Sequence, residues 1–211
     1  MNIGVIGIHT GIGKTLVSAI LCEALGADYW KPIQAGELDN SDSLFISKNV
    51  QNTQTKVHKE KFQFKAALSP HTAANMENVS VSLNDLQLPE TKNSIIIETA
   101  GGLHSPVNDN KTMLDLVIHL NTPVIVVSQN YLGSINHTLL TIEALKNSGV
   151  FILGLIFNGV ENESSEKFIL ENSGIACIGR IPFAEKPDKV FINNCAKDLS
   201  AELKKISHEF I

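Results

Sequence analysis

The first fifteen residues constrain the fold more than any other stretch of the chain. An apolar run of strand length, Ile3-Gly4-Val5-Ile6-Gly7, breaks at once into Ile8-His9-Thr10-Gly11-Ile12-Gly13-Lys14-Thr15, and an apolar helical pattern follows. A buried strand, a glycine-rich turn ending in Gly-Lys-Thr and a helix together make a phosphate cradle of the P-loop type. Glycines let backbone N–H groups converge on phosphate oxygens, Lys14 brings a point charge to the outer phosphates, and the Thr15 hydroxyl can ligate Mg²⁺. The helix behind turns its positive end to the same anion. Five residues separate Gly7 from Gly13, one more than the general pattern, and Ile8 sits where its first glycine is expected. The flanking strand and helix distinguish the segment from a chance glycine turn.

Further apolar runs at 28–33, 94–98, 123–128, 151–158 and 177–182 read as strands beside 2–7. Their apolar residues are consecutive rather than alternating, which means burial on both faces, as in a parallel sheet covered by helices. Helical patterns lie between them at 14–25, 41–49, 113–120, 134–147, 164–172 and 195–208. The alternation predicts a doubly wound α/β fold with a mainly parallel sheet, helices on both faces, and ligands at the carboxyl ends of the strands. The polar stretch 50–91 gives few periodic signals and reads as a loop-rich insertion bordering the site, with a helix near 70–76. No linker or repeat divides the chain, so one P-loop α/β domain over 1–211 is expected.

With 43% apolar and 18% charged residues the chain has the make-up of an ordinary globular protein. A net charge of −5 gives no electrostatic footprint for nucleic acid or an anionic membrane. Anionic ligands must then be held by a few local lysines and backbone donors. Three scattered cysteines, Cys22, Cys177 and Cys195, argue against a disulfide framework or zinc site and fit a reducing compartment. There is no signal-peptide pattern and no apolar run of bilayer length, so a cytoplasmic location is expected.

Several strand ends look chemical. Lys31 leads into Pro32-Ile33-Gln34-Ala35-Gly36 at the end of the second strand. There it either reaches a terminal phosphate or snorkels to solvent. Asp42 follows a capping Ser41 or Asn40 and serves either the helix dipole or a Mg²⁺ ion. Glu98 ends the apolar run 94–98, ahead of Thr99-Ala100-Gly101-Gly102. An acid at the end of a buried strand is costly unless paired or near a metal, which favours a metal role. Gly133-Ser134-Ile135-Asn136 opens a helix whose free N–H groups suit a carboxylate, although Ser134 could serve only as its cap. His9, His71, His104 and His137 are not spaced as metal ligands.

Taken together and in order, these segments resemble the ATP-dependent dethiobiotin synthetases over nearly the whole chain. The segments are Gly13-Lys14-Thr15, Lys31-Pro32-Ile33-Gln34, Ser41-Asp42, Ser69-Pro70-His71, Glu98 through Gly102 with Pro106, Leu132 through His137, Asn158, and Gly179-Arg180-Ile181-Pro182. The resemblance implies a homodimer acting on a diamino acid, CO₂ or bicarbonate, and ATP as co-substrate, with Mg²⁺. It implies that the 10–15 backbone (Thr10, Gly11, Ile12, Gly13, Lys14, Thr15) holds the ATP phosphates, and that Leu16, Gly101 and Gly102 also belong to the nucleotide site. Thr15, Asp42 and Glu98 would hold Mg²⁺, and Lys31 with Lys14 and Thr10 would serve the reacting groups. Ala35, Pro70 and Gly133, Ser134, Ile135 and Asn136 would contact the diamino acid, while Asn158, Pro182 and Phe183 would frame adenine.

Four positions depart from the family's usual pattern. His9 replaces a common aspartate, Gly11 a larger residue, Ala35 a hydroxyl residue and Thr99 a glycine. Gly11 is expected to loosen the loop, Ala35 to remove one substrate hydrogen bond, and Thr99 to add bulk close to the metal. A partitioning-type nucleotide switch is the competing reading. Such proteins resemble the chain at the loop but carry a lysine where His9 stands. A cobyrinate-type amidation domain lacks room here for its glutaminase partner. An inactive relative is the third alternative.

Overall fold

The computed structural model describes residues 1–209. Its strands and helices run in the order β1 (Ile3–Gly7), α1 (Lys14–Leu25), β2 (Asp28–Trp30), β3 (Ile33–Ala35), α2 (Asp42–Asn49), β4 (Val57–His58), β5 (Phe62–Phe64), α3 (Pro70–Met76), β6 (Ile95–Gly102), α4 (Met113–Leu120), β7 (Val124–Ser128), α5 (Ser134–Asn147), β8 (Ile152–Asn158), α6 (Glu163–Ser173), β9 (Cys177–Ile181) and α7 (Lys189–Glu209). Seven strands form one sheet in the order β4-β2-β6-β1-β7-β8-β9, and every neighbouring pair is parallel. This is the doubly wound α/β architecture that the consecutive apolar runs imply. All five residues of β1 and of β7 are buried. Each fully buried valine or isoleucine there contributes about 1.5–3 kcal/mol.

The order of pairing positions the site. Strand β1 is central; its neighbours β6 and β7 come much later in the chain, on opposite sides of it. From β1 the chain moves across the sheet to β2 on one side, and from the adjacent β6 it crosses to β7 on the other, so the connections part at the carboxyl ends of these strands and open a crevice there. Helix α1 springs from the crevice. Its Val17, Ile20 and Leu21 fall on one face, at spacings of three and four, and are fully buried. Helices α2 and α7 pack against it, and α5 packs against α6.

Some boundaries differ from the sequence reading, each for a local reason. The expected strand 28–33 is split after Trp30, because Pro32 has no N–H to continue a ladder. The Pro32 carbonyl instead accepts from Lys61 N and Phe62 N at 3.0 and 3.2 Å. Beyond it, β3 pairs in parallel with β5 in a separate two-stranded sheet. The insertion 50–91 therefore carries β4 and β5 as well as the expected helix α3, but its strands are two or three residues long and show no periodicity. Strand β6 runs four residues past Glu98, pairing Gly7 with Gly102 after a register shift against β1. Helix α7 begins six residues before the expected 195, where the Asp188 carboxylate accepts from Phe191 N at 2.9 Å and acts as an N-terminal cap.

Candidate active site

The cradle is held open by backbone conformation. Gly11 and Gly13 have φ of +76° and +89°, values an L side chain rarely adopts. At Gly13 an added Cβ would also lie 2.2 Å from Asn158 Nδ2, which donates to the Ile12 carbonyl at 2.8 Å. Gly13 is the N-cap of α1 and offers no side-chain cap. The first N–H groups of α1 therefore keep no intrahelical or capping partner, which suits a phosphate. Gly11 is thus a fitted turn residue, whatever looseness its lack of a side chain permits.

Lys14 is buried, with Nζ 3.1 Å from the His9 carbonyl. Its pKa is lowered from 10.5 to about 8, chiefly by burial and in part by the nearby Lys31, against the opposing pull of Glu98 and Asp42. Next to it Thr15 Oγ1 lies 2.8 Å from Asp42 Oδ1 and 2.9 Å from Glu98 Oε1. Its one proton can serve a single carboxylate at a time. Lys31 Nζ is ion-paired to Asp42 Oδ2 and lies 3.2 Å from Glu98 Oε1. Burial would lower the Lys31 pKa, but Glu98 and Asp42 outweigh it and hold the ammonium above its ordinary range.

Strand geometry explains the convergence. Tyr29 and Trp30 on β2 lie opposite Ile96 and Ile97 on β6. One step further along places Lys31 opposite Glu98. Period two puts Tyr29 and Lys31 on the same face, and Tyr29 also reaches Glu98, its hydroxyl donating to Oε2 at 2.8 Å. Tyr29 is fully buried and Glu98 is 1% exposed. Burial and the adjacent Glu98 raise the phenol pKa well above its ordinary value, so the hydroxyl remains a donor. Asp42 arrives from the first turn of α2, whose cap is Ser41 accepting from Leu44 N.

Among the described residues no cluster of three or more His, Cys, Asp or Glu could hold a metal. The converging donors are a hydroxyl and two carboxylates. These hard oxygens fit Mg²⁺, which prefers one or two carboxylates and completes its shell with water and phosphate.

A cleft of about 690 Å³ opens over this cluster. Thr10, Gly11, Gly13, Lys14, Thr15, Lys31, Asp42, Glu98 and Gly101 line one part of it, and Ala35 and Pro70 line the wall built by β3 and α3. Gln34 and Ser69, which stand in segments that carry the resemblance but have no role assigned from sequence, also border the cleft, as do Glu37, Ala67 and Leu68; Tyr29, too, is not singled out by the sequence. Tyr29 was findable from alternation, two residues before Lys31. Ala67 and Leu68 carry no signal of their own.

Other expected site residues lie elsewhere. Leu16 packs against the main core. Gly102 lies against the Gly7 and Ile8 carbonyls, outside the cleft. Asn158 braces the cradle from behind Gly13 and does not border the cleft. Pro182 and Phe183 lie outside it, Phe183 being 63% exposed. Gly133, Ser134, Ile135 and Asn136 also stand apart; Gly133, rather than Ser134, is the cap of α5, and Ser134 Oγ accepts from Tyr131 N. Thr99 does not crowd the carboxylates: it follows Glu98 on the opposite face of β6 and donates to the Val5 carbonyl at 3.1 Å.

A parallel sheet with a glycine cradle at its central strand, flanked by a hydroxyl, two acids and two lysines, defines a nucleotide-binding domain of the P-loop α/β class. A family model described as an AAA domain matches residues 1–189. The chain is 42% identical over 197 residues to the ATP-dependent dethiobiotin synthetase BioD of Christiangramia forsetii, covering 93% of this chain and 95% of that one. It is 45% identical over 193 residues to the enzyme of the same name from Cytophaga hutchinsonii, covering 91% and 93%. The chain belongs to the ATP-dependent dethiobiotin synthetase family. In fold it is similar to the cell division ATPase MinD of Pyrococcus furiosus, with a TM-score of 0.61 at 15% identity, covering 98% of this chain and all of that one. A ParA family ATPase from Chlorobium tepidum gives 0.57 at 14% identity, covering 96% and 91%. No helix among the described residues is long and apolar enough to cross a membrane.

Proposed function

We propose that this chain uses ATP and Mg²⁺ to close 7,8-diaminononanoate and CO₂ into dethiobiotin, as an ATP-dependent ligase of biotin synthesis. The observation that carries the reading is the meeting of Thr15, Asp42, Glu98 and Lys31 at the mouth of the cradle, in a chain so similar to dethiobiotin synthetases. One substrate amine adds to CO₂ and loses a proton, giving a carbamate. A carbamate oxygen bonds to the γ-phosphorus as ADP leaves. The neighbouring amine then bonds to the carbonyl carbon of the mixed anhydride, expelling phosphate and closing the ureido ring.

Two anions must meet at phosphoryl transfer, so the protein has to cancel their repulsion and fix their approach. The open N–H groups of α1 and the cradle would orient the phosphates, with Lys14 among them. Lys31, at the junction of phosphate floor and acceptor wall, would face the carbamate and the transferring group. When bound, Mg²⁺ supplies charge neutralisation, held by Thr15, Asp42 and Glu98. No side-chain nucleophile is needed. Ala35 and Pro70 would border the diamino acid. The start of α5 stands away from the cleft of its own chain, which supports a homodimer whose second copy brings Gly133–Asn136 to the acceptor.

The partitioning-type switch shares the fold, but likeness at such low identity extends no further. A coupled ADP assay separates the readings: ADP release should require diamine and bicarbonate together. Turnover that ignores both, or that responds to DNA or vesicles, would overturn the proposal. Lys31→Ala should abolish turnover and leave much of the ATP affinity; equal losses would mean that Lys31 only helps bind nucleotide.

A further inference from the structure

Glu98 presents its two oxygens to different neighbours. Oε1 faces the cleft, 2.9 Å from Thr15 Oγ1 and 3.2 Å from Lys31 Nζ. Oε2 is turned into the sheet, where the Tyr29 hydroxyl donates to it at 2.8 Å. The hydroxyl has no other hydrogen-bond partner among the described residues. A phenylalanine would fill the same space in the core without burying a polar atom. A hydroxyl taken fully out of water is unfavourable unless partnered, and its sole partner is this carboxylate.

We infer that Tyr29 is a positioning residue: it anchors the inner oxygen of Glu98 so that the outer one is presented, already oriented, to the cation that accompanies the nucleotide. The inference rests on the function proposed above, in which Glu98 is a metal ligand. Partners of this kind orient a ligand and raise its grip on the metal, and their removal typically weakens metal binding about 10- to 100-fold. In Tyr29→Phe the ring packing is kept and only the anchor is lost, leaving Glu98 free to turn.

The test is calorimetric titration of ADP into the full chain, with EDTA and again with Mg²⁺. In the wild type Mg²⁺ should tighten ADP binding. In Tyr29→Phe the affinity in EDTA should stay within about two-fold, while the Mg²⁺-linked tightening falls about ten-fold. Equal losses in both arms would mean that Tyr29 only supports the fold, and an unchanged Mg²⁺ effect would also overturn the inference. If the wild type itself shows no Mg²⁺ effect, the metal reading of Thr15, Asp42 and Glu98 fails and takes this inference with it. A second measurement does not depend on that variant folding. The chain has two tyrosines, so in Tyr131→Phe the ultraviolet resonance Raman doublet belongs to Tyr29 alone. It should report a strong hydrogen-bond donor both without ligand and with Mg²⁺ and ADP; loss of the donor signature on loading would refute the anchor.

Discussion

Replacing Gly13 by alanine tests the cradle where two constraints meet. The backbone there has φ of +89°, and the new Cβ would lie 2.2 Å from Asn158 Nδ2. Holding an L residue in a left-handed conformation costs about 1–2 kcal/mol. The Asn158 amide is the end of a flexible side chain and can swing away, but it then gives up its 2.8 Å bond to the Ile12 carbonyl, worth about 1 kcal/mol. Gly13→Ala should therefore destabilise the chain by about 2–3 kcal/mol, and Asn158→Ala alone by about 1 kcal/mol. In the double variant the bond is already gone, so the loss should stay near 2–3 kcal/mol instead of the additive 3–4 kcal/mol, a coupling of about 1 kcal/mol. Urea unfolding reads this directly. With a denaturant slope of about 2–3 kcal/mol/M, the Gly13→Ala midpoint should fall by about 1 M. Additivity within about 0.3 kcal/mol would refute the claim that Asn158 is packed against Gly13.

Two other outcomes follow from charge. Since burial holds the Lys14 pKa at about 8, about half of these side chains lack the proton at pH 8, and nucleotide phosphates should restore it. Calorimetry in buffers of different ionisation heat should find uptake of about 0.5 proton at pH 8, absent in Lys14→Met, with affinity falling as pH rises through 8; no buffer dependence would contradict this. In the free protein the sign is reversed: between about 8 and 10.5 the unfolded chain holds a proton that folded Lys14 has lost, so this residue favours folding more as pH rises. At the amino end of β2, burial would raise the Asp28 pKa, but bonds from His58, Lys56 N, Thr91 and Asn93 outweigh it and depress the value below 3.8. Its contribution is complete above about pH 4 and lost as pH falls through the lower folded value. Asp28→Asn should cost about 1–3 kcal/mol at pH 7 and flatten the acid limb of stability; an unchanged limb would exclude Asp28 as its source.

Much of the phosphate side of the site was legible because it is local. A strand, a turn and a helix are consecutive, so Gly13, Lys14 and Thr15 announce their geometry together. Glu98 was legible because a charge after Ile95-Ile96-Ile97 is out of place unless something answers it. The partners of Glu98 were harder. Tyr29 is an ordinary core residue by composition, and only the parallel register of β2 against β6 brings its hydroxyl to the acid. Strands β3 to β5 were invisible because pairs of two or three residues owe their form to tertiary contact and have no period to detect. The expected adenine contact at Phe183 came through likeness alone and the carboxylate contact at Gly133–Asn136 from a helix start, and the single chain brings neither to the cleft.

Pro32 has a consequence beyond ending β2. Because the chain forks there, the wall built by β3 and α3 owns a small core of its own, with Ile33, Phe64, Ala73, Val81 and Leu86, distinct from the one around β1 and β7. Modules that share few side chains mutate independently. Sequence drift can therefore reshape the wall that carries Ala35 and Pro70 while leaving the glycine cradle across the cleft undisturbed.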